Sequence, residues 1–188
     1  MTSDTRHYCA FRAGHEVARG RLFEVALRVR DLGSEVPSQI FDLGDGRLVD
    51  VLLEGTDESI SQWIAEHHPH RVQGASQRSR GRPRLGVVGR EITLLPRQWD
   101  WLNSQPGGAS ANLRRLVDEA AKRPAALRDA ARDATFRFLN ALAGDYPGFE
   151  ESLRALYGGD REAFSAHAAA WPDDVRRQAA AFADAAWS

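Results

Sequence analysis

The sequence predicts an α+β fold in which a small N-terminal sheet domain precedes a mainly helical C-terminal domain. Short β-rich runs alternate with helical patterns over the first 68 residues, and the last third carries apolar residues at helical spacing. Between these regions, a polar arginine-rich stretch has no hydrophobic period. The predicted parts are therefore an N-terminal α+β domain over residues 1–68, an arm or linker over 69–86, and a mainly helical domain over 87–188.

The N-terminal domain is predicted to have the order β-β-α-β-β-α. Its first half holds two extended segments, residues 8–13 and 16–18, around a turn at Gly14, and then a helix from Leu22 that stops at Gly33. We expect the whole N-terminal domain to form a small α+β sandwich, with its helices packed on one face of an antiparallel sheet.

The second half of this domain contains a hairpin candidate. Two β-rich runs, residues 39–43 and 48–53, flank the turn sequence of residues 44–47. Thr56 is the predicted N-cap of a helix that ends near His68.

The C-terminal domain is predicted to open with a strand, Val87 to Leu95, that stops at Pro96. Pro106-Gly107-Gly108 and the sequence of residues 144–148 are the clearest breaks after it. Helices are predicted over residues 98–104, from the cap residue Ser110 to about 120, and over 125–143, 149–157 and 161–170. A final helix that holds Pro172 in its first turn is predicted to run to Trp187.

Composition is that of an ordinary globular protein, with 43% hydrophobic and 27% charged residues in a chain of 188. Cys9 is the single cysteine, so an intrachain disulfide and a multi-cysteine metal site are both excluded. No apolar run approaches the roughly 20 residues of a membrane helix. We expect a cytoplasmic protein without a membrane partner.

Motifs of the common enzyme classes are missing from the sequence. There is no phosphate-binding Walker loop, no dinucleotide fingerprint and no nucleophile elbow. The neighbouring acids Glu150-Glu151 and Asp173-Asp174 are interpreted as first-turn residues that complement helix dipoles. We therefore expect no catalysis and no cofactor.

Positive charge is concentrated in one region. Between Arg71 and Arg97 the sequence holds seven arginines and one acid, Glu91, although the whole chain has a net charge of −1. Such a concentration is typical of a surface that binds a polyanion. A charged linker that only keeps the chain solvated has the same composition, and this alternative stays open.

Within this region, Arg80-Gly81-Arg82-Pro83 has the core sequence of an AT-hook, and Arg78 and Arg84 flank it. A thin backbone of this kind fits a narrow A·T minor groove, where the negative potential favours guanidinium groups. Arg78, Arg80, Arg82 and Arg84 are therefore predicted to contact duplex DNA.

Residues 88–121 resemble a ribbon-helix-helix unit. The match rests on a β-rich run ending in Leu-Pro, a short helix, a glycine turn, a serine cap and an amphipathic helix. The resemblance implies that two copies pair their strands into a ribbon for the major groove, so a homodimer is expected, with Arg90 and Thr93 near the ribbon. Glu91 departs from this pattern, because a carboxylate is repelled by phosphates and suits only a cytosine amine.

Histidines and tryptophans offer weaker signals. His67-His68-Pro69-His70 is interpreted as a frayed polar helix end and not as a metal site, since no further ligand is identifiable. Trp99 and Trp101 lie about 200° apart on a helix, which predicts that one of them is partly exposed.

Several longer motifs together resemble the bacterial domain-of-unknown-function family 2239, from Tyr8 to Val175. These motifs are SRGRPRLGVVGREITLLPRQWDWL, QPGGAS, FRFLNALAGDYPGFEESLRALYGGD and WPDDVR. The resemblance implies a bacterial protein and transfers no activity and no functional residue.

The sequence thus favours a DNA-binding regulator. The main alternative is a protein-protein interaction module in which the arginines only solvate a linker. That alternative predicts that the strand Val87 to Leu95 pairs within its own N-terminal sheet. A third possibility, a small-molecule site or an unrecognised enzyme, requires a concave pocket.

Overall fold

A computed structural model describes residues 7–68 and 89–187. The N-terminal elements are strand β1 (Tyr8–Arg12), strand β2 (His15–Gly20), helix α1 (Leu22–Asp31), strand β3 (Ser38–Asp42) and helix α2 (Asp57–His67). The later helices are α3 (Pro96–Ser104), α4 (Gly108–Ala121), α5 (Pro124–Leu142), α6 (Phe149–Gly158), α7 (Arg161–His167) and α8 (Asp173–Ala183), with a 3₁₀ turn over Asp184–Trp187. The predicted α+β class is confirmed.

The sheet has three antiparallel strands in the order β2-β1-β3. The central strand β1 is buried from Tyr8 to Phe11 because helices cover both of its faces. Tyr8 and Ala10 join an apolar cluster with α1 and α2, whereas Cys9 and Phe11 join one with the C-terminal helices. This division follows from the two-residue period of a strand. The two helices of the N-terminal part, α1 and α2, pack on one face of the sheet as predicted. The C-terminal helices cover the other face, which was not predicted, so the sheet is the middle layer of three.

Aromatic rings form the centre of the C-terminal side. Phe138 of α5 contacts Phe11 with ring centroids 5.3 Å apart and Phe41 at 4.9 Å, both in tilted to edge-on geometry. Phe138 also contacts Phe182 of α8 at 5.4 Å. Aromatic pairs of this kind contribute more than their buried area alone.

Two loops reach the helices of this layer. Arg137 of α5 donates a hydrogen bond to the carbonyl oxygen of Asp45, at 3.0 Å. A Cβ atom at Gly46 would overlap the carbonyl oxygen of Ala134 on the same helix. A Cβ atom at Gly14, in the β1–β2 turn, would come within 2.8 Å of Pro172. These close approaches fix both turns against the helical layer.

The predicted fourth strand over residues 48–53 is wrong. The pairing with β3 is limited to one bridge, between Phe41 and Leu48, and two hydrogen bonds: from the Val49 N–H to the Ile40 carbonyl oxygen at 2.8 Å and from the Asp42 N–H to the Arg47 carbonyl oxygen at 2.9 Å. The carbonyl oxygen of Asp50 instead accepts a hydrogen bond from the ring of His68. The observed order of the N-terminal part is therefore β-β-α-β-α.

The compact units differ from the predicted domains. Of the described residues, 7–68 and 127–187 form one unit, and 89–126 belong to a second. Helices α5 to α8 therefore share an apolar core with the N-terminal sheet. We call the described residues 89–126 the helical hairpin unit.

Candidate nucleic-acid interface

The segment before α3 carries the two predicted ribbon residues. Arg90 and Thr93 are both exposed, and so is Glu91. Within the single chain, residues 89–95 form no strand, so the strand predicted for Val87 to Leu95 does not pair inside the chain over this range. A strand needs a neighbour to satisfy its peptide groups, and the described sheet offers none here. Residues 87 and 88 lie outside the described residues.

Helix α3 begins earlier than predicted, at Pro96. Proline suits the first helical position because its missing N–H is not needed there. The side-chain oxygen of Gln98 accepts a hydrogen bond from the backbone N–H of Leu95, at 2.9 Å. Residue 95 is therefore fixed at the helix start. The exposed side chain of Trp101, beside half-buried Trp99, confirms the prediction for this pair.

The turn between α3 and α4 is held by Asn112. Its side-chain amide donates to the carbonyl oxygens of Pro106 at 3.0 Å and Gly108 at 2.9 Å. Gly107 is the N-cap of α4 with φ +90°, a left-handed conformation that favours glycine. The predicted cap, Ser110, instead lies inside the first turn of α4.

Helix α4 has an apolar face and a charged face. Val117 is exposed, Leu113 and Leu116 are half-buried, and Arg115 forms an ion pair of 2.8 Å with Glu119 one turn later. The first turn of α4 contains no acidic residue. Its N-terminal N–H groups therefore meet no carboxylate within their own turn, which favours an approaching anion.

Cationic side chains in the helical hairpin unit are mostly without ion pairs. Of its six, only Arg115 forms an ion pair with another described residue. The other five are Arg90, Arg97, Arg114, Lys122 and Arg123. In the larger unit, by contrast, many arginines are paired with carboxylates, for example Arg19, Arg30 and Arg137. With four acids against these six cations, the described unit carries a net charge of +2.

The arm arginines Arg78, Arg80, Arg82 and Arg84 lie outside the described residues. The structure therefore brings together only Arg90 and Thr93 of the six predicted nucleic-acid contacts, on one exposed segment. The contribution of the arm rests on its sequence.

The end of α2 is not frayed as predicted. The ring of His67 stacks on Trp63 with centroids 4.2 Å apart, and its Nδ1 donates to the Trp63 carbonyl oxygen at 2.9 Å. His68 donates from Nε2 to the Asp50 carbonyl oxygen at 2.9 Å. Both donors are assigned because a carbonyl oxygen only accepts. No group of three or more potential metal ligands occurs among the described residues.

A polar cluster that was not predicted from the sequence joins β2 to α8. Arg19 binds the Glu16 carboxylate through two hydrogen bonds of 2.7 and 2.6 Å, and also donates to the buried amide oxygen of Gln178 at 2.7 Å. Asp174 accepts from the Glu16 backbone N–H at 2.9 Å. These partners are about 160 residues apart, so no sequence pattern indicates them. Arg177 pairs with Asp174 and so balances the second carboxylate. The cluster joins the edge strand β2 to α8.

Cys9 lies near this cluster, but its thiol is expected to be unreactive. Burial raises the pKa of its thiol to about 12, an effect that the positive charge of Arg19 only partly offsets. A thiol with such a pKa is protonated near neutral pH and is a poor nucleophile.

No described helix is both long and apolar enough to cross a lipid bilayer. No curated protein and no solved structure matches the chain. One family model matches residues 7–183, which is nearly the whole chain, and its description is "uncharacterized protein conserved in bacteria". The chain therefore belongs to the bacterial family DUF2239.

Proposed function

We propose that this protein is a regulator that binds duplex DNA as a homodimer, using the arginine arm and the helical hairpin unit. The observation that carries the proposal is the set of five cations in the helical hairpin unit without an ion pair to a described residue. They follow directly on the arm, whose residues 69–88 add five arginines and no acid. Together these charges suit the closely spaced phosphates of a duplex.

The segment of residues 89–95 supports a ribbon. Arg90 and Thr93 are exposed on it, and its peptide groups are not part of the described sheet. An unpaired segment of this kind is able to pair with the same segment of a second copy. The two copies would then present Arg90 and Thr93 side by side to a groove, with no catalytic step involved.

A second candidate function is a protein-protein interaction module. The exposed indole of Trp101 favours it, because aromatic side chains are enriched at protein interfaces. The specific arrangement expected for that module, with the segment after residue 87 inside the N-terminal sheet, is not met over residues 89–95.

The test is fluorescence anisotropy with a labelled duplex at low salt. We expect binding that weakens at least tenfold when Arg78, Arg80, Arg82 and Arg84 are all replaced by alanine. A matched control replaces four exposed arginines of the larger unit, Arg21, Arg28, Arg154 and Arg161, and so removes the same charge. Equal losses in both variants, or no binding by the wild type, would reject the proposal and favour the interaction module.

A further inference from the structure

The helical hairpin unit buries very little apolar surface. Among its described residues, Leu102 is the only large apolar side chain that is fully buried, at 3% exposed. Chains of about 40 residues rarely hold a fold without a disulfide, a metal or another chain. The unit contains no cysteine and no group of metal ligands among its described residues. Its exposed surface is therefore the place to look for a partner chain.

Large apolar side chains are exposed on both helices and before them. Val117 of α4 is 63% exposed and Trp101 of α3 is 49% exposed, and Ile92 and Leu95 are also exposed. A stable interface covers about 800 Å² on each partner. The four exposed side chains named here do not supply that area alone. A partner chain must therefore also cover half-buried side chains next to them.

Helix α4 offers such neighbours on one face. Residues three and four apart lie on the same side of a helix. The apolar face of α4, as we use the term, consists of Leu113, Leu116, Val117 and Ala120. None of these four residues is fully buried.

The charged residues of α4 are arranged symmetrically in sequence about the midpoint between Leu116 and Val117. Residues 113–116 run apolar, basic, basic, apolar, and residues 117–120 run apolar, acidic, acidic, apolar. All four charged side chains, Arg114, Arg115, Asp118 and Glu119, are exposed. The helix is therefore complementary to a reversed copy of itself.

We propose that the apolar face of α4 packs antiparallel against the same face of a second copy of this chain. A two-fold axis near the midpoint brings Arg114 of each copy beside the acid at position 118 of the other, and Arg115 beside the acid at position 119. Such self-complementarity is required of a two-fold interface. Burial of the apolar face supplies the attraction, and the charge pairs set the direction and exclude a parallel arrangement.

This inference rests on the homodimer of the proposed function and adds a second contact surface to the ribbon of residues 89–95, but it does not depend on DNA. Arg115 already pairs with Glu119 of its own helix at 2.8 Å. Exposed pairs of this type contribute little, so the exchange of one partner for another costs little. Arg114 forms no ion pair with a described residue and is the freer of the two.

The experiment measures the mass of the full chain without DNA by sedimentation equilibrium. We expect a dimer of twice 20.8 kDa. An acidic variant carries R114E and R115E, and a basic variant carries D118R and E119R. Each variant alone places like charges together across the two-fold axis, so we expect each dimer to weaken at least tenfold. An equimolar mixture restores opposite charges, and we expect it to regain the dimer mass.

Rescue by mixing separates an interface from a folding defect, because a misfolded helix is not repaired in trans. Circular dichroism of each variant checks the helix content directly. Val117→Asp is a second test at an exposed position, and it should also give a monomer. A monomeric wild type, dimers that survive all these changes, or a mixture that stays monomeric would overturn the inference. A dimer that binds no duplex would instead reject only the proposed DNA binding.

Discussion

The carboxylate of Asp174, at the start of α8, accepts a hydrogen bond of 2.9 Å from the backbone N–H of Glu16 on strand β2. β2 is an edge strand of the sheet. The outward N–H of such a strand would otherwise need water or another chain. Asp174 thus accepts the hydrogen bond of an outward peptide group on the edge strand β2. It also joins this strand to α8, about 160 residues later in the chain.

Replacing Asp174 by alanine should destabilise the protein by about 1.5–3 kcal/mol, the usual contribution of a hydrogen bond to a charged group. Asp173 is the matched control. It lies in the same first turn of α8 but is highly exposed and pairs only with nearby Arg176. Its replacement should cost less than about 1 kcal/mol. Urea unfolding of both variants gives the comparison, and equal losses would show that the bond to Glu16 contributes nothing.

Gly46→Ala should be more harmful than Gly33→Ala. Both glycines have positive φ, +70° and +75°, so both substitutions place alanine in the left-handed region at a cost of about 1–2 kcal/mol. Only at Gly46 would the added Cβ also overlap a backbone oxygen, that of Ala134 on α5. Thermal unfolding should therefore show a clearly lower Tm for Gly46→Ala. Equal Tm values would mean that the loop does not approach α5 this closely.

The raised pKa of Cys9 predicts a loss of stability at alkaline pH. An unfolded thiol releases its proton near pH 9, whereas the buried thiol keeps it up to about pH 12. In this window the folded state binds more protons, so the free energy of unfolding falls by about 1.4 kcal/mol per pH unit from this group. The stabilising effect is fully present below pH 9.

Cys9→Ala removes that slope. We expect the stability difference between wild type and variant, measured in urea at pH 8 and again at pH 10, to shift in favour of the variant at the higher pH. Other titrating groups cancel in the comparison. A difference that stays constant between the two pH values would contradict the burial of the thiol.

Asn112 should control the local stability of the helical hairpin unit. Asn112→Ala removes two hydrogen bonds to the α3–α4 turn, each worth about 1 kcal/mol. Hydrogen exchange should therefore accelerate in α3 and α4 and stay unchanged in β1 and α8, which belong to the other compact unit. Asn103→Ala, at an exposed position of α3, is the control. Faster exchange throughout the chain would contradict the division into two units.

Local signals explain which elements the sequence could predict. Pro124 at the start and Gly144 after the end locate α5 to within one residue, and Thr56 caps α2 as expected, with its hydroxyl accepting from the Ser59 N–H at 3.3 Å. Such features depend on residues close in the chain. The continuous apolar run from Tyr8 to Phe11 was the available signal for a strand covered on both faces.

Features that depend on distant residues could not be predicted. The fourth strand stops after its first residues, where the Asp50 carbonyl oxygen bonds the ring of His68, 18 residues away, and not a neighbouring strand. The partners of Arg19 and Glu16 on α8 carry no shared pattern with β2. For the candidate interface, the sequence predicted where the arginines concentrate. Only the structure shows that Arg90 and Arg97 form no ion pair with another described residue.

The central claim, binding to the phosphates of duplex DNA, is tested most directly by its dependence on salt. Four arm arginines that each neutralise one phosphate predict a slope of roughly −3 to −4 for the logarithm of the binding constant against that of salt concentration, from the arm alone. Anisotropy titrations at several salt concentrations should therefore give a slope shallower by that amount when Arg78, Arg80, Arg82 and Arg84 are replaced by alanine. An identical slope for wild type and variant, or no affinity for duplex DNA at low salt, would contradict the claim.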